Sequence, residues 1–249
     1  MGYAFLRSEW KNSGKTERLP SMRHDIQLEG FNLRLRPVRI EDAVFIVWLR
    51  NLDYVKGNVG DSATDVAAQE TWLRAYFERE GDYYFIVESA GGIPLGTHGI
   101  YNVNGTSAEK GRHIMRAEVM AGVPTGILTT ELAFGSLGLQ QLRARIVATN
   151  MAVQSLHRKS GFKEVGRVAA AQMIGGKPAD MVEFLLTAEE WRKCRDRQLP
   201  LAHLAGKQVL EWEEAQLGER QPWEETDEQP FLGPGFRSGD ISCPQCQLC

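Results

Sequence analysis

Residues 150–162 read NMAVQSLHRKSGF: an asparagine stands seven residues ahead of His157, and Gly161-Phe162 closes the run. The stretch reads as a short helix with Asn150 as its N-cap and Gly161 as its stop. His157 then sits mid-helix, where an imidazole of unperturbed pKa about 6.5 can give or take a proton, or can simply pack with a backbone partner. Upstream, MAGVPTG (residues 120–126) places Gly122 and Gly126 in a loop that opens a helix. Backbone N–H groups at a helix start favour an anion, a phosphate above all, and the glycines permit close approach. The plainer alternative is an ordinary strand-to-helix turn. An imidazole can move a proton and a helix start can hold an anion, and the two together leave the reaction open.

A third set of reactive side chains lies at the far end. CPQCQLC (243–249) offers three thiols at C-x₂-C-x₂-C spacing, one short of a tetrahedral zinc site. Cys194 or His203 could complete it only if the acidic stretch between folded back, so no metal is assigned. The segment reads as a flexible, thiol-bearing tail, a peptide for another protein or for the chain's own cleft. Three of four cysteines in the last seven residues is not a secreted disulfide framework. A net charge of −3 provides no global basic field for nucleic acid or anionic membrane. Arg34, Arg36 and Arg39 read as the solvated face of one strand. No run of 18 apolar residues and no apolar leader is present, so a cytoplasmic protein with no membrane partner is expected.

The elements that must position these groups follow from periodicity. Residues 1–27 are polar and aperiodic and read as an arm. FNLRLRPVR alternates as a half-buried strand from Phe31, EDAVFIVWLRN follows as a short helix, and a second helix spans roughly 66–80. DYYFIVES and IPLGTHGIYNV form strands around Ala90-Gly91-Gly92. GRHIMRAEVM reads as a strand running into AGVPTGILTTELAFGSLGL, a helix with Pro124 in its first turn and Gly138 as its stop. LRARIVAT is the next strand, then the His157 helix, then KEVGRVAAAQM and ADMVEFLLT as a hairpin around Gly175-Gly176. Thr187-Ala188-Glu189-Glu190 is a capping box opening a last helix over 188–204. From about 205 the acidic composition predicts little independent fold.

This order of elements, with AEKGRHIM … AFGSLGLQQLRARIVATNMAVQSLHRKSGF, resembles the GCN5-related N-acetyltransferase (GNAT) superfamily over roughly residues 31–186. The last run is similar to that family's N-x-x-A-x-x-L-Y-x-x-x-G-F. The resemblance implies an α/β fold, a mixed central sheet with flanking helices, over 28–187, and acetyl-CoA as acyl donor. It implies that His157, at the family's tyrosine position, is the general acid. Glu109, in an A-E-x-G-like strand start, is implied as base, with Glu118 as rival. Met115 and Arg116 would offer strand-edge backbone to the pantetheine arm. Ala121, Gly122, Val123, Thr125 and Gly126 would hold the pyrophosphate, and Asn150 would lie near the cofactor arm. The family's loop, Q/R-x-x-G-x-G/A, is altered here: Val119 stands first and Pro124 last.

Trp48-Leu49-Arg50-Asn51, Val55 and a helix with Trp72 resemble relatives acting on nucleotide-linked amino sugars, although Lys110 replaces their aromatic residue. Arg50 would pair with a phosphate, Asn51 would join the acceptor site, and Trp48 or Trp72 would line a sugar or base pocket. The competing reading gives both tryptophans to helix cores and Arg50 to a helix C-terminus. The expected partner is a small-molecule primary amine, with a second copy of the chain or a protein bound at the tail as further partners. Protein N-terminal acetylation and a non-catalytic scaffold are the alternatives.

Overall fold

The computed structural model describes residues 23–60 and 65–224. An eight-stranded sheet runs, in spatial order, β1 (Leu28–Gly30), β2 (Leu33–Pro37), β3 (Tyr83–Ser89), β4 (Pro94–Asn104), β5 (Ser107–Met115), β6 (Gln141–Val147), β8 (Lys177–Thr187) and β7 (Lys163–Ile174). All neighbours are antiparallel except β5 and β6, which are parallel. This is the mixed sheet with flanking helices that the resemblance implies.

Alternation on β3 separates two cores. Phe85 and Val87 pack with α4 (Gly122–Phe134) and α6 (Ala188–Ala215), while α5 (Met151–Lys159) contributes Val153 to the same face. Tyr84 and Ile86 pack instead with α1 (Ala43–Arg50), α2 (Asp53–Lys56) and α3 (Val66–Phe77). Successive strand side chains point to opposite faces, so one strand joins both layers. Arg34 and Arg36 are not simply solvated: both bond the buried Glu88, and Arg36 also grips Asp42.

Several boundaries differ from expectation. A short strand, β1, precedes the predicted one, joined by a tight turn with Phe31 and Asn32 at φ 55° and 58°. The β5 strand starts at Ser107 and ends at Met115, short of the expected Met120. The α4 helix stops at Phe134 with Gly135 as its cap; Gly138, at φ 64°, serves the turn beyond. The capping box of Thr187 and Glu190 forms as expected.

The largest correction concerns the chain after 204. The α6 helix continues to Ala215, and the composition argument fails because a stripe of small residues packs it down. Ala202, Ala205, Gly206, Val209 and Glu213 are buried at helical spacing. Gly206 lies against the Phe31 carbonyl, too close for a side chain, and its own carbonyl accepts from Asn32 Nδ2 at 3.0 Å. Glu213 reaches the β3–β4 turn, accepting from Ser89 Oγ and Gly91 N, each at 2.6 Å.

The outermost strand, β7, is exposed along almost its whole length and carries Val165, Val168 and Met173 into solvent. Its pairing with β8 shifts between Val168 and Gln172, where Ala170 adopts φ 49° and donates its N–H to Asp180 Oδ1. The N-terminal arm before residue 23 and Cys243, Cys246 and Cys249 lie outside the described residues. No helix among the described residues is long and apolar enough to cross a membrane.

Candidate active site

Strands β5 and β6 pair over only three residues, Ser107–Glu109 against Gln141–Arg143, and then part. The cause lies on the other side of β5. Between the pairs Gly99↔Gly111 and Thr97↔Ile114, β4 spends His98 while β5 spends Arg112 and His113. Arg112 takes φ 50° at this bulge. Two residues opposite one bend the longer strand, which steers β5 away from β6 and opens a seam in the sheet.

Lys110, the first β5 residue past the point of parting, is buried on the α4 side. Its Nζ donates to Gly126 O at 2.9 Å and to Thr130 Oγ1 at 2.7 Å, and lies 5.9 Å from the Phe162 ring centre. Burial without a carboxylate lowers its pKa to about 7. His157 packs on the same phenyl ring, 4.9 Å between centres, and also against Phe184. Its Nδ1 is 2.9 Å from Val153 O. A carbonyl only accepts, so Nδ1 carries the hydrogen and Nε2 holds the lone pair. Burial first, and the Lys110 charge after it, hold the His157 pKa down at about 4, against the pull of the Val153 bond.

Behind them His98 and His113 meet across the bulge, Nδ1 to Nδ1 at 2.7 Å. Burial keeps His113 down at about 3 and His98 well below the ordinary imidazole range. The sequence marked Lys110 only as a departure from an aromatic residue and did not single out the two histidines. Their meeting depends on a register shift that no local pattern announces.

Glu109 does not precede β5 but lies within it, one residue before Lys110 and so on the opposite face. Arg145 donates to both its oxygens, at 2.8 and 2.9 Å, and Asn102 to one at 3.2 Å. The two residues expected to be catalytic therefore flank the seam from its two sides. Glu118 is largely exposed and pairs with Arg116 at 3.6 Å.

The α4 N-terminus has Ala121 as its cap residue and no side chain bonding its first turn. Gly122, Val123 and Thr125 follow; the Thr125 N–H bonds Ala121 O, and its buried hydroxyl has no partner. Gly126 lies inside the helix rather than in a loop, and its carbonyl serves Lys110 and Thr130. Asn150 caps α5 through Val153 N at 3.1 Å. Met115 O accepts from Tyr54 OH at 3.0 Å. Arg116 departs from the expected edge role: its backbone N–H is bonded to Leu95 O at 2.8 Å, inside the sheet.

The Arg116 side chain is buried among three tryptophans. Its guanidinium lies 5.4 Å from Trp48, 4.8 Å from Trp212 and 5.2 Å from Trp223, and it donates to Gln221 Oε1 at 2.9 Å. Such cation–π contacts add to the Glu118 pairing in holding the desolvated guanidinium. Trp48 is thus covered by the chain's own C-terminal segment. Trp72 is stacked on Tyr76 at 5.7 Å with Arg112 5.2 Å from its ring. Arg112 in turn forks onto Asp82 and lies over Tyr84 and Tyr101. Trp48 and Trp72 share one core, Trp48 inside it and Trp72 packed partly buried against it. Asn51 caps the end of α1 through Val47 O, 2.9 Å away, and Arg50 donates to Gly60 O at 2.9 Å; burial lowers the Arg50 pKa.

A model of the acetyltransferase (GNAT) domain matches residues 32–163. No protein of curated function matches the sequence. Among solved structures, apo FdhC, a nucleotide-linked sugar GNAT, is 24% identical, with 73% of this chain and 99% of that one covered at a TM-score of 0.59. Spermidine N-acetyltransferase from Vibrio cholerae, in complex with CoA and spermine, is 20% identical over 66% and 99%, also at 0.59. Mycobacterium smegmatis RimJ in complex with CoA-disulfide is 21% identical over 68% and 88%, at 0.59. The parted strands, the helix that starts beside them and the matched domain model agree, and the chain belongs to the GNAT acetyltransferase family.

Proposed function

We propose that the protein transfers an acetyl group from acetyl-CoA to a primary amine of a small molecule, with an amino sugar on a nucleotide as the favoured acceptor. The carrying observation is the seam, three paired residues long before β5 and β6 part, with α4 beginning beside it. Acetyl-CoA supplies an activated thioester and a pyrophosphate handle. The α4 start suits the handle: no side chain caps it, and the Thr125 hydroxyl is buried there without a partner. Ala121, Gly122, Val123, Thr125 and Gly126 would hold the phosphates, Asn150 and the Met115 carbonyl the arm.

In this reading the amine approaches from the face of α1 and α3, where Glu109 receives it, and His157 works from the other face. With its hydrogen fixed on Nδ1, His157 offers Nε2 as an acceptor at neutral pH. It takes the amine's proton and passes it to the departing sulfur, rather than storing one beforehand as a resting acid. A small acceptor is favoured over a protein N-terminus because Gln172, near the tip of the β7–β8 hairpin, stands against Gly60 beyond α2. FdhC's description as a nucleotide-linked sugar GNAT supports the amino sugar.

The test is calorimetric titration of acetyl-CoA, CoA and a longer acyl-CoA into the whole chain, followed by a panel of amino-sugar nucleotides, polyamines and peptides. Micromolar binding of acetyl-CoA and turnover with an amino sugar are expected. No binding of any acyl-CoA would end the enzyme reading.

A further inference from the structure

Lys110 has no role in the chemistry above, and its setting is unusual for a lysine. It is buried, its two hydrogen-bond acceptors are neutral, and among the described residues no carboxylate acts on it. An ammonium that needed only to fill space there would be replaced at lower cost by leucine or methionine. Around it stand His98 and His113 from the sheet and His157 from α5. His98 Nε2 is buried with no partner among the described residues. The four groups cannot all be charged together; burial keeps the imidazoles neutral, and Lys110, itself held down at about 7, is the group that carries the cluster's positive charge at and below that pH. Gly126 O and Thr130 Oγ1 take two of its three hydrogens, and the third has no acceptor among the described residues. The position is at the apex of the seam, between α4 and the phenyl ring that His157 also touches.

We infer that Lys110 is a catalytic residue whose ammonium receives the leaving sulfur of the acyl donor as a thiolate. This rests on the acetyltransferase reading. The amine nitrogen forms its bond to the acyl carbon, the carbon–sulfur bond breaks, and its electron pair goes to sulfur beside Lys110. The amine's proton moves to His157 Nε2 and then to sulfur, giving amide and free thiol. Lys110 keeps its protons throughout and acts by charge alone, in a dry site where charge is most effective.

The experiment follows the ultraviolet absorbance of the CoA thiolate as free CoA binds the full-length protein across a pH series, with desulfo-CoA as the sulfur-free reference. In the wild type, bound CoA should ionise at least about tenfold more readily than free CoA, one pKa unit. In Lys110→Met that gain should vanish, while desulfo-CoA affinity changes less than about twofold and turnover falls by about tenfold or more. The methionine should fold, since it removes a buried charge. Thr130→Val, which keeps the lysine but loses one of its acceptors, should give an intermediate ionisation. Equal ionisation in wild type and Lys110→Met would overturn the inference and leave the acetyltransferase intact. So would mass-spectrometric detection of an acetyl group on Lys110, which would make it a nucleophile. Failure of the wild type to bind either CoA or desulfo-CoA would overturn the acetyltransferase reading and this one with it.

Discussion

Replacing Glu213 by alanine tests whether the end of α6 is part of the fold. The carboxylate is buried and accepts from Ser89 Oγ and Gly91 N. Bonds to a charged partner contribute about 1.5–3 kcal/mol each, but the two halves of this pair differ. Gly91 is exposed, so water can satisfy its N–H after the change. Ser89 is fully buried and would lose its acceptor outright. Together these give a cost of about 2–4 kcal/mol for Glu213→Ala. In a domain of this size that lowers Tm by roughly 5–15 °C. Glu213→Gln keeps one carbonyl oxygen in place and should cost about 1 kcal/mol. Gly91→Ala should approach the alanine variant, because a methyl group there would run into the same carboxylate. Thermal melts by circular dichroism, with urea titrations alongside, measure all three. A Tm for Glu213→Ala within a degree or two of wild type would refute the reasoning, since it would mean the carboxylate is hydrated and the helix end is not anchored.

Two further outcomes are expected. His157→Phe should keep acetyl-CoA affinity but lower turnover by about tenfold or more; unchanged turnover would remove the imidazole from the chemistry. Acid should destabilise the fold early. His157 and His113 have folded pKa values held down at about 4 and about 3, so the unfolded chain binds more protons below about 6.5. Their full contribution is present above that pH and is lost as pH falls through the folded values, roughly 3 kcal/mol for His157 alone. Urea midpoints that do not fall between about pH 7.5 and 5 would contradict the neutral burial of these rings.

What could be seen beforehand was local. The capping box at Thr187, the Asn150 cap and the glycine turn of the last hairpin each depend on a few neighbouring residues, and each forms. The order of strands and helices followed from the same kind of signal. What escaped depends on distance along the chain. Trp48, Trp212 and Trp223 converge on Arg116 from positions far apart, and no periodicity links them. The continuation of α6 was hidden in plain view, since its inner stripe is alanine, glycine and one valine, which acidic composition outweighs on any average. His98 and His113 meet only because β5 carries an extra residue. A one-residue shift in a strand decides which side chains share a face, and sequence spacing does not reveal it. The partners of the two carboxylates weighed as bases were equally hidden: Glu109 accepts from Arg145, and Glu118 pairs with Arg116.

The irregular outer strand also bears on how the molecule behaves in a crowd. A long bare edge invites strand addition from any other chain, and ends in fibres when many copies join. Here the ladder is broken where Ala170 kinks, and Asp180 ties that backbone N–H down. Val165 and Val168 lie on one side of the break and Met173 on the other, so no flat apolar run spans the edge. A visiting strand would find only a few residues of register before the path bends. The kink shortens the register that this exposed strand offers a second chain.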